Sequence, residues 1–253
     1  MFRLVGLAAN KEAAMRPRDR VLELRNYTMQ PSQRDVLIAL FEREFIAPQE
    51  ALGAHVLGTF RNLDNPDGFV WLRGFADLDT RYAALDGFYT SDVWKAHRTE
   101  ANATMIDSDD VLLLRPLAGD TARDSATRPP IGAPAPSALI VATTYFLNPH
   151  NDEAFAAFFS HDVAPILKEA DAKFLATFAT EHSPNNYPRL PVRENETVFV
   201  SLTRFASPAV HAAHVAALTQ SPAWRALEPA LTRALVAPIQ TLRLQPTARS
   251  LLR

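Results

Sequence analysis

The sequence predicts an α+β protein in which two tandem copies of one small split βαβ unit close their sheets on each other as a barrel. Three observations support this. A Pro- and Ala-rich segment divides the chain, the two parts share motifs at constant spacing, and each part reads strand, helix, strand, strand, helix, strand. A four-stranded sheet with helices on one face leaves its other face uncovered. A second copy with the same uncovered face is the natural cover.

The dividing segment covers residues 118–138 and has no apolar periodicity, so we expect a linker there. It separates repeat one, residues 21–117, from repeat two, residues 139–247. Residues 1–20 are expected to be a flexible leader and residues 248–253 a C-terminal tail. The basic residues of the leader follow its apolar stretch, which is the wrong order for a secretory signal.

The motifs of the two repeats keep their spacing. FVWLRGFAD from Phe69 aligns with FVSLTRFAS from Phe199, and the following Ser-x-x-Trp and Leu-x-Leu-x-Pro motifs recur without a gap. Upstream, the Ala-Pro pair at Ala47 is matched to the pair at Ala164 after one inserted residue. The loop before the third strand is longer in repeat two. This unbroken spacing predicts a tandem repeat.

The elements of repeat one follow from local patterns. Alternating residues indicate strands, and single apolar faces between capping residues and glycine or turn residues indicate helices. In order, we predict a strand over Val21–Thr28, a helix opened by Ser32 and Asp35 as a capping box and stopped at Gly53, strands over His55–Arg61 and Phe69–Phe75, helices over Thr80–Phe88 and from Ser91, and a strand over Val111–Arg115. This order is ferredoxin-like.

The strand VLELRNYT from Val21, followed by a proline and an amphipathic helix, resembles the opening of NIPSNAP-domain proteins. The FVWLRGFADLDTRYAAL segment and the Ser-x-x-Trp motif resemble the third strand and later helices of that family. The resemblance covers residues 21–117 and, more weakly, 139–247. It implies the dimeric α/β-barrel fold, whose superfamily includes cofactor-free monooxygenases, haem enzymes of the chlorite-dismutase type and isomerases. It implies no particular reaction, because a fold does not determine function.

Composition narrows the function classes. A formal net charge of −2 offers no basic field for nucleic acid. The absence of cysteine excludes disulfides, thiolate metal sites and a cysteine nucleophile. No apolar run is long enough to span a bilayer. We therefore expect a cytoplasmic protein that binds neither nucleic acid nor membrane.

The first strand carries an unusual set of side chains. Alternation places Glu23, Arg25 and Tyr27 on one face, and Leu22 and Leu24 on the other. Because leucines suit a helix-packed face, we expect the charged face to point into the barrel lumen.

Trp71 and Arg73 in the third strand and Arg115 in the fourth are assigned to the same lumen. With Arg25 they form the predicted ligand-binding set. At matched positions repeat two loses these groups and keeps only the tyrosine, as Tyr145. The replacements for Glu23, Arg25, Trp71, Arg73 and Arg115 are Val141, Thr143, Ser201, Thr203 and Gln245.

This asymmetry supports two hypotheses. In the first, the arginines hold a partly apolar anion, Tyr27 donates a hydrogen bond, and Glu23 or His97 moves a proton, as in a cofactor-independent enzyme. The charges alternatively satisfy one another as a buried ion pair and bind nothing. In the second hypothesis the protein is a non-catalytic scaffold that uses its outer surface. We expect the double change Glu23→Val with Arg25→Thr, which copies repeat two, to leave the fold nearly intact.

Metal and cofactor signals are weak. His211 and His214 stand three residues apart, but no third ligand has a recognisable spacing. We therefore predict no metal site and no cofactor, although the resemblance leaves haem on a single histidine open. A homodimer of the fused pair is also left open.

Overall fold

The computed structural model describes residues 19–119 and 123–253, so most of the predicted leader lies outside the described residues. Repeat one contains β1 (Val21–Met29), α1 (Arg34–Leu40), a π-helical turn (Phe41–Phe45), α2 (Ile46–Ala51), β2 (His55–Asn62), β3 (Gly68–Phe75), α3 (Leu78–Thr90), α4 (Asp92–Ala103), β4 (Met105–Asp107) and β5 (Val111–Gly119). After a short 3₁₀ turn (Ser125–Thr127), repeat two contains β6 (Leu139–Leu147), α5 (Asp152–Phe158), a π-helical turn (Phe159–Val163), α6 (Ala164–Glu169), β7 (Lys173–Thr180), β8 (Thr197–Phe205), α7 (Pro208–Gln220), α8 (Pro222–Arg233) and β9 (Gln240–Pro246).

Eight strands close into one antiparallel barrel. Their order is β3-β2-β9-β6-β8-β7-β5-β1, and β1 pairs back onto β3, while the short β4 extends the sheet beyond β1. The repeats join at two seams, β2 with β9 and β5 with β7. The predicted fold class, two ferredoxin-like units forming an intramolecular dimeric α/β barrel, is confirmed.

The barrel interior is apolar, and the predicted face assignment is wrong. Leu22 and Leu24 point into the lumen, where they pack with residues of repeat two such as Ile140 and Val200. The charged face of β1 therefore points outward, against the helices of repeat one. Alternation defines two sets of residues on each strand, but both faces of β1 are buried, so the pattern does not show which set faces the lumen.

The two repeats correspond more closely than the motifs indicate. The strands β1 and β6 begin at Val21 and Leu139, and β2 and β7 begin at His55 and Lys173, so the separation is 118 residues in both cases. No residue is inserted between them, contrary to the expected insertion near the Ala-Pro pair. The separation rises to 130 residues at the ends of β3 and β8, so twelve extra residues lie in the loop between β7 and β8.

The repeated Ser-x-x-Trp motif is a helix start. Ser91 Oγ accepts a hydrogen bond from the Trp94 N–H at 3.2 Å, and Ser221 Oγ accepts one from the Trp224 N–H at the same distance. The predicted capping box at Ser32 is wrong, since α1 has no side-chain cap and Ser32 lies in a turn with φ of 65°.

The linker and the C-terminal tail both contact repeat one. In the linker, Arg128 donates hydrogen bonds to Glu50 at 2.5 Å and to the Val56 carbonyl at 2.6 Å. In the tail, the Leu252 N–H donates to the Leu57 carbonyl at 3.0 Å, and the Leu252 side chain joins the apolar lumen. The tail is therefore packed as part of the barrel core. No helix among the described residues is long and apolar enough to cross a membrane.

Candidate functional site

A cluster of four buried charged side chains lies between the sheet and the helices of repeat one. Glu23 Oε2 accepts hydrogen bonds from Arg25 Nη1 at 2.7 Å and from Arg73 Nε at 2.8 Å. Glu23 Oε1 accepts one from Arg81 Nε at 2.7 Å. All four side chains are at most 1% exposed. Three guanidinium groups therefore share one carboxylate, and the cluster carries an excess of positive charge.

The strand register and a helix start bring these groups together. Glu23 on β1 lies directly opposite Arg73 on β3. Arg81 reaches the cluster from the first turn of α3. The N-cap residue of this helix is Asp77, whose carboxylate accepts a hydrogen bond from the Thr80 N–H at 2.7 Å. Arg81 was not among the sequence candidates. The residue that matches Arg81 in repeat two, at the same separation of 130 residues, is His211. This change of side chain is the feature of the sequence that could have identified Arg81 as a member of the charged site.

The surroundings keep the cluster ionised. Burial opposes the charge of Glu23, but Arg73, Arg25 and Arg81 hold the pKa of this carboxyl far below its usual range. Burial also opposes the charge of Arg25, yet Tyr27 and Glu23 raise its pKa above the ordinary value. For Arg81, burial dominates and lowers the pKa, although a guanidinium remains charged at neutral pH. Burial raises the pKa of Tyr27, which therefore stays a protonated phenol.

A cavity of about 110 Å³ adjoins this cluster. Its wall is largely aromatic, and one end is polar. The aromatic lining consists of Phe41, Phe45, Trp71, Phe88, Tyr89 and Trp94, with Leu37, Ala101, Met105 and Leu190 beside it. The polar lining consists of Arg25, Tyr27, Gln49, Asn102 and Ser108. The cavity therefore suits a small molecule with one apolar and one polar part.

Hydrogen-bond donors at the polar end are incompletely used. Arg25 has five N–H groups. Among the described residues it donates to Glu23, to the Tyr27 hydroxyl at 2.8 Å and, weakly, to the Ser108 carbonyl at 3.4 Å. Within the same part of the chain, the buried Trp71 Nε1–H has no acceptor. Since buried donors are usually paired, an acceptor group in the cavity would complete them.

The π-helical turn between α1 and α2 supplies part of the aromatic wall. Its first and last residues, Phe41 and Phe45, both line the cavity. Gln49, one turn later, accepts a hydrogen bond from Arg73 Nη1 at 2.8 Å and donates to the Phe45 carbonyl at 3.1 Å. This glutamine therefore links the helix wall to the charge cluster. Insertions of this kind in helices often occur at functional sites.

The structure brings most, but not all, of the predicted site residues together. Arg25, Tyr27 and Trp71 line the cavity, while Glu23 and Arg73 lie in the ion cluster behind it. Two further candidates lie elsewhere.

Arg115 extends toward repeat two, where it donates to Asp152 at 2.8 Å. His97 is 28% exposed on α4, lies 3.7 Å from Glu44, and is not among the residues lining the cavity. From sequence alone, Arg115 was assigned to the lumen and His97, after Trp94, was considered as a proton carrier. The tertiary structure separates both from the charge cluster.

Among the described residues, repeat two shows no equivalent charge cluster. Val141 and Thr203 face each other where Glu23 and Arg73 do in repeat one. The conserved tyrosine, Tyr145, packs against aromatic rings of its own repeat instead of an arginine. Repeat one therefore carries these charges and repeat two lacks them, as inferred from sequence. The charges face the helices, whereas the sequence analysis placed them in the lumen.

The described histidines are not among the residues that line the cavity of repeat one. His211 and His214 lie with ring centroids 6.1 Å apart. Nowhere in residues 19–119 and 123–253 do three or more histidine or acidic side chains form a group able to hold a metal ion.

The closed barrel with a helix-covered cavity defines a protein of the dimeric α/β-barrel class, here built within one chain. The NIPSNAP family model matches residues 22–119, which is almost the whole of repeat one. No curated protein matches the chain in sequence.

Solved structures share the whole fold. An anthrone oxidase-like protein is 12% identical with a TM-score of 0.57, covering 93% of this chain and 94% of its own. A candidate monooxygenase from Fusobacterium nucleatum is 10% identical with a TM-score of 0.56, covering 90% and 93%. An uncharacterised NIPSNAP-like domain protein from Burkholderia xenovorans is 20% identical over 44% of this chain and 87% of its own, with a TM-score of 0.36. At these identities the first two similarities establish the fold alone.

Proposed function

We propose that the protein binds a small, partly apolar anion, such as an aromatic carboxylate, in the cavity of repeat one. The observation that carries this proposal is the sharing of one buried carboxylate, Glu23, by three buried guanidinium groups. Burying charge without a partner is costly. A bound anion next to the cluster would offset its excess positive charge.

The contacts suggest how such a ligand is held. Arg25 is the member of the cluster that lines the cavity, and its remaining N–H groups can bind a carboxylate in a charge-assisted pair. The free Trp71 Nε1–H adds a second donor. Arg73 and Arg81 contribute positive potential from behind, and the aromatic wall accepts the apolar part of the ligand.

A cofactor-independent enzyme could use the same arrangement. Fixed positive groups in a site shielded from water stabilise negative charge that develops on a substrate, as in an enolate or a phenolate. Tyr27 is protonated and can donate a hydrogen bond. Glu23, in contrast, is held ionised by three arginines and is therefore a weak proton acceptor. Its role in this proposal is to hold the arginines in position.

Calorimetric titration tests the binding proposal. We expect wild-type protein to bind benzoate more tightly than the uncharged benzyl alcohol. Arg25→Met should weaken benzoate binding by roughly tenfold to a hundredfold, as expected for the loss of a charge-assisted hydrogen bond. Arg115→Met is the matched control, since Arg115 pairs with Asp152 away from the cavity.

Binding of benzoate that is equal in wild type and Arg25→Met, or no preference over the alcohol, contradicts the proposal. Trp71→Phe provides a second test if Arg25→Met does not fold. It keeps the aromatic ring and removes the unpaired Nε1–H, so it should also weaken benzoate binding. The alternative, a scaffold that uses its outer surface, predicts no carboxylate binding to any of these proteins.

A further inference from the structure

The loop between β7 and β8 of repeat two closes the cavity of repeat one. We propose that this loop, residues 181–196, is the wall that determines which ligands the cavity accepts, an inference that rests on the proposed binding function. It contains the twelve residues by which the two repeats differ in length. The segment added to one repeat thus lies against the charged site of the other.

Polar contacts fasten the loop to repeat one. Arg81 Nη1 donates to Asn185 Oδ1 at 3.0 Å and to Asn186 Oδ1 at 2.6 Å. Asn186 Nδ2 donates in turn to the Leu78 carbonyl, at the start of α3, at 2.6 Å. The loop is therefore bonded both to an arginine of the charge cluster and to the helix that carries it.

Apolar contacts make the loop part of the cavity wall. Leu190 lines the cavity directly. Tyr187 is 3% exposed, and its ring lies 6.4 Å from that of Tyr89, which also lines the cavity, and 5.7 Å from that of Tyr82. One residue of the loop thus forms wall surface, and another supports the wall from behind.

The loop is built to hold one shape. Its prolines, at positions 184, 188 and 191, restrict the backbone, and it contains no glycine. Asn185 closes a small turn within it, since its Oδ1 accepts the Tyr187 N–H at 3.1 Å and its Nδ2 donates to the Leu190 carbonyl at 2.9 Å. Leu190 is therefore held at a fixed place in the wall.

Because the wall is fixed, the size of the cavity limits the size of the ligand that can bind. Buried cavities of about 150 Å³ accept benzene, so a cavity of about 110 Å³ limits a ligand to about one ring. When a large side chain is truncated in a rigid environment, the space it occupied largely persists. Leu190→Ala should therefore enlarge the cavity and admit a second fused ring.

The experiment compares benzoate with 2-naphthoate by calorimetric titration of wild type, Leu190→Ala and Leu63→Ala. Leu63 is a matched control, because it is an exposed leucine in the corresponding loop of repeat one and does not line the cavity. We expect wild type and Leu63→Ala to prefer benzoate. Leu190→Ala should shift the ratio of the two affinities toward 2-naphthoate by about tenfold or more.

Two results separate the possible failures. If wild type binds benzoate and Leu190→Ala leaves the affinity ratio unchanged, the loop does not select ligands, and the proposed binding function stands. If wild type binds neither acid, the binding function itself is overturned, and this inference falls with it. Leu190→Phe fills the cavity and keeps the loop's polar contacts, so it should abolish benzoate binding. Retained binding in Leu190→Phe overturns the inference even if Leu190→Ala does not fold.

Discussion

Within the part of the chain that the structure describes, Glu23 is the one carboxylate paired with three buried arginines. Its charge should therefore contribute strongly to the free energy of unfolding. Glu23→Gln keeps the shape of the side chain and removes its charge. The amide group also places N–H donors where the carboxylate accepted hydrogen bonds from Arg25, Arg73 and Arg81. The three guanidinium groups would remain buried without an anion.

The expected loss of stability is large. Removing one partner of a buried ion pair typically costs about 3–5 kcal/mol, because an uncompensated charge is left behind. With three arginines dependent on Glu23, we expect the upper part of that range. For a urea dependence of about 2.5 kcal/mol per molar, the unfolding midpoint should fall on the order of 1–2 M.

Equilibrium unfolding in urea, followed by circular dichroism, measures this effect. The matched control is Asp152→Asn, which neutralises another buried carboxylate. Its partners, Arg115 and His182, are 28% and 41% exposed and can be solvated. We expect that control to cost about 1 kcal/mol. Arg81→Met should also cost less than Glu23→Gln, because the cluster then keeps its anion and loses one of its excess cations.

Equal costs for Glu23→Gln and Asp152→Asn, or a cost of Glu23→Gln below about 1 kcal/mol, would refute the reasoning. The same structure changes the expectation for Glu23→Val with Arg25→Thr. That pair removes two charges, but Arg73 and Arg81 would lose the only carboxylate that pairs with them among the described residues. We therefore expect the double variant to be strongly destabilised, and copying repeat two requires changes at all four positions.

Three further predictions follow from particular contacts. The pKa of Glu23 is lower in the folded than in the unfolded state, so its charge stabilises the fold above about pH 4.3, the unfolded value, and this contribution is lost as the pH falls toward the much lower folded value. The melting temperature of wild type should therefore fall more between pH 5 and 2 than that of Glu23→Gln. Parallel curves of melting temperature against pH would contradict this. Tyr187→Phe removes a buried hydroxyl that has no partner among the described residues, so it should change the free energy of unfolding by less than about 1 kcal/mol. Tyr27→Phe removes the hydroxyl that accepts a hydrogen bond from Arg25 and should cost about 1–3 kcal/mol. The reverse order in urea unfolding would be inconsistent with these contacts. Brief proteolysis should cut the exposed part of the linker near residues 130–135, which follow the hydrogen-bonded Arg128. The two fragments should elute together on gel filtration, because two pairs of hydrogen-bonded strands join the repeats. Fragments that separate would argue against a shared barrel.

Much of the architecture was determined by the sequence. Constant motif spacing predicted a tandem repeat, because two copies keep the same spacing only if their strands and helices have equal lengths. Alternation also grouped Glu23 with Arg25 and Tyr27 correctly, because successive side chains of a strand necessarily point to opposite faces. The loss of charge at matched positions in repeat two is visible in the sequence itself.

Only the tertiary structure decided where that charged face points. Both faces of β1 are buried, one by the opposite sheet and the other by helices, so hydrophobicity cannot distinguish them. The same limit applies to Arg81 and to the loop at Asn185 and Asn186, which lie about 60 and 160 residues from Glu23 along the chain. These residues come together because the strands of the two repeats pair to close the barrel. Contacts between residues so far apart along the chain produce no hydrophobic periodicity in the local sequence.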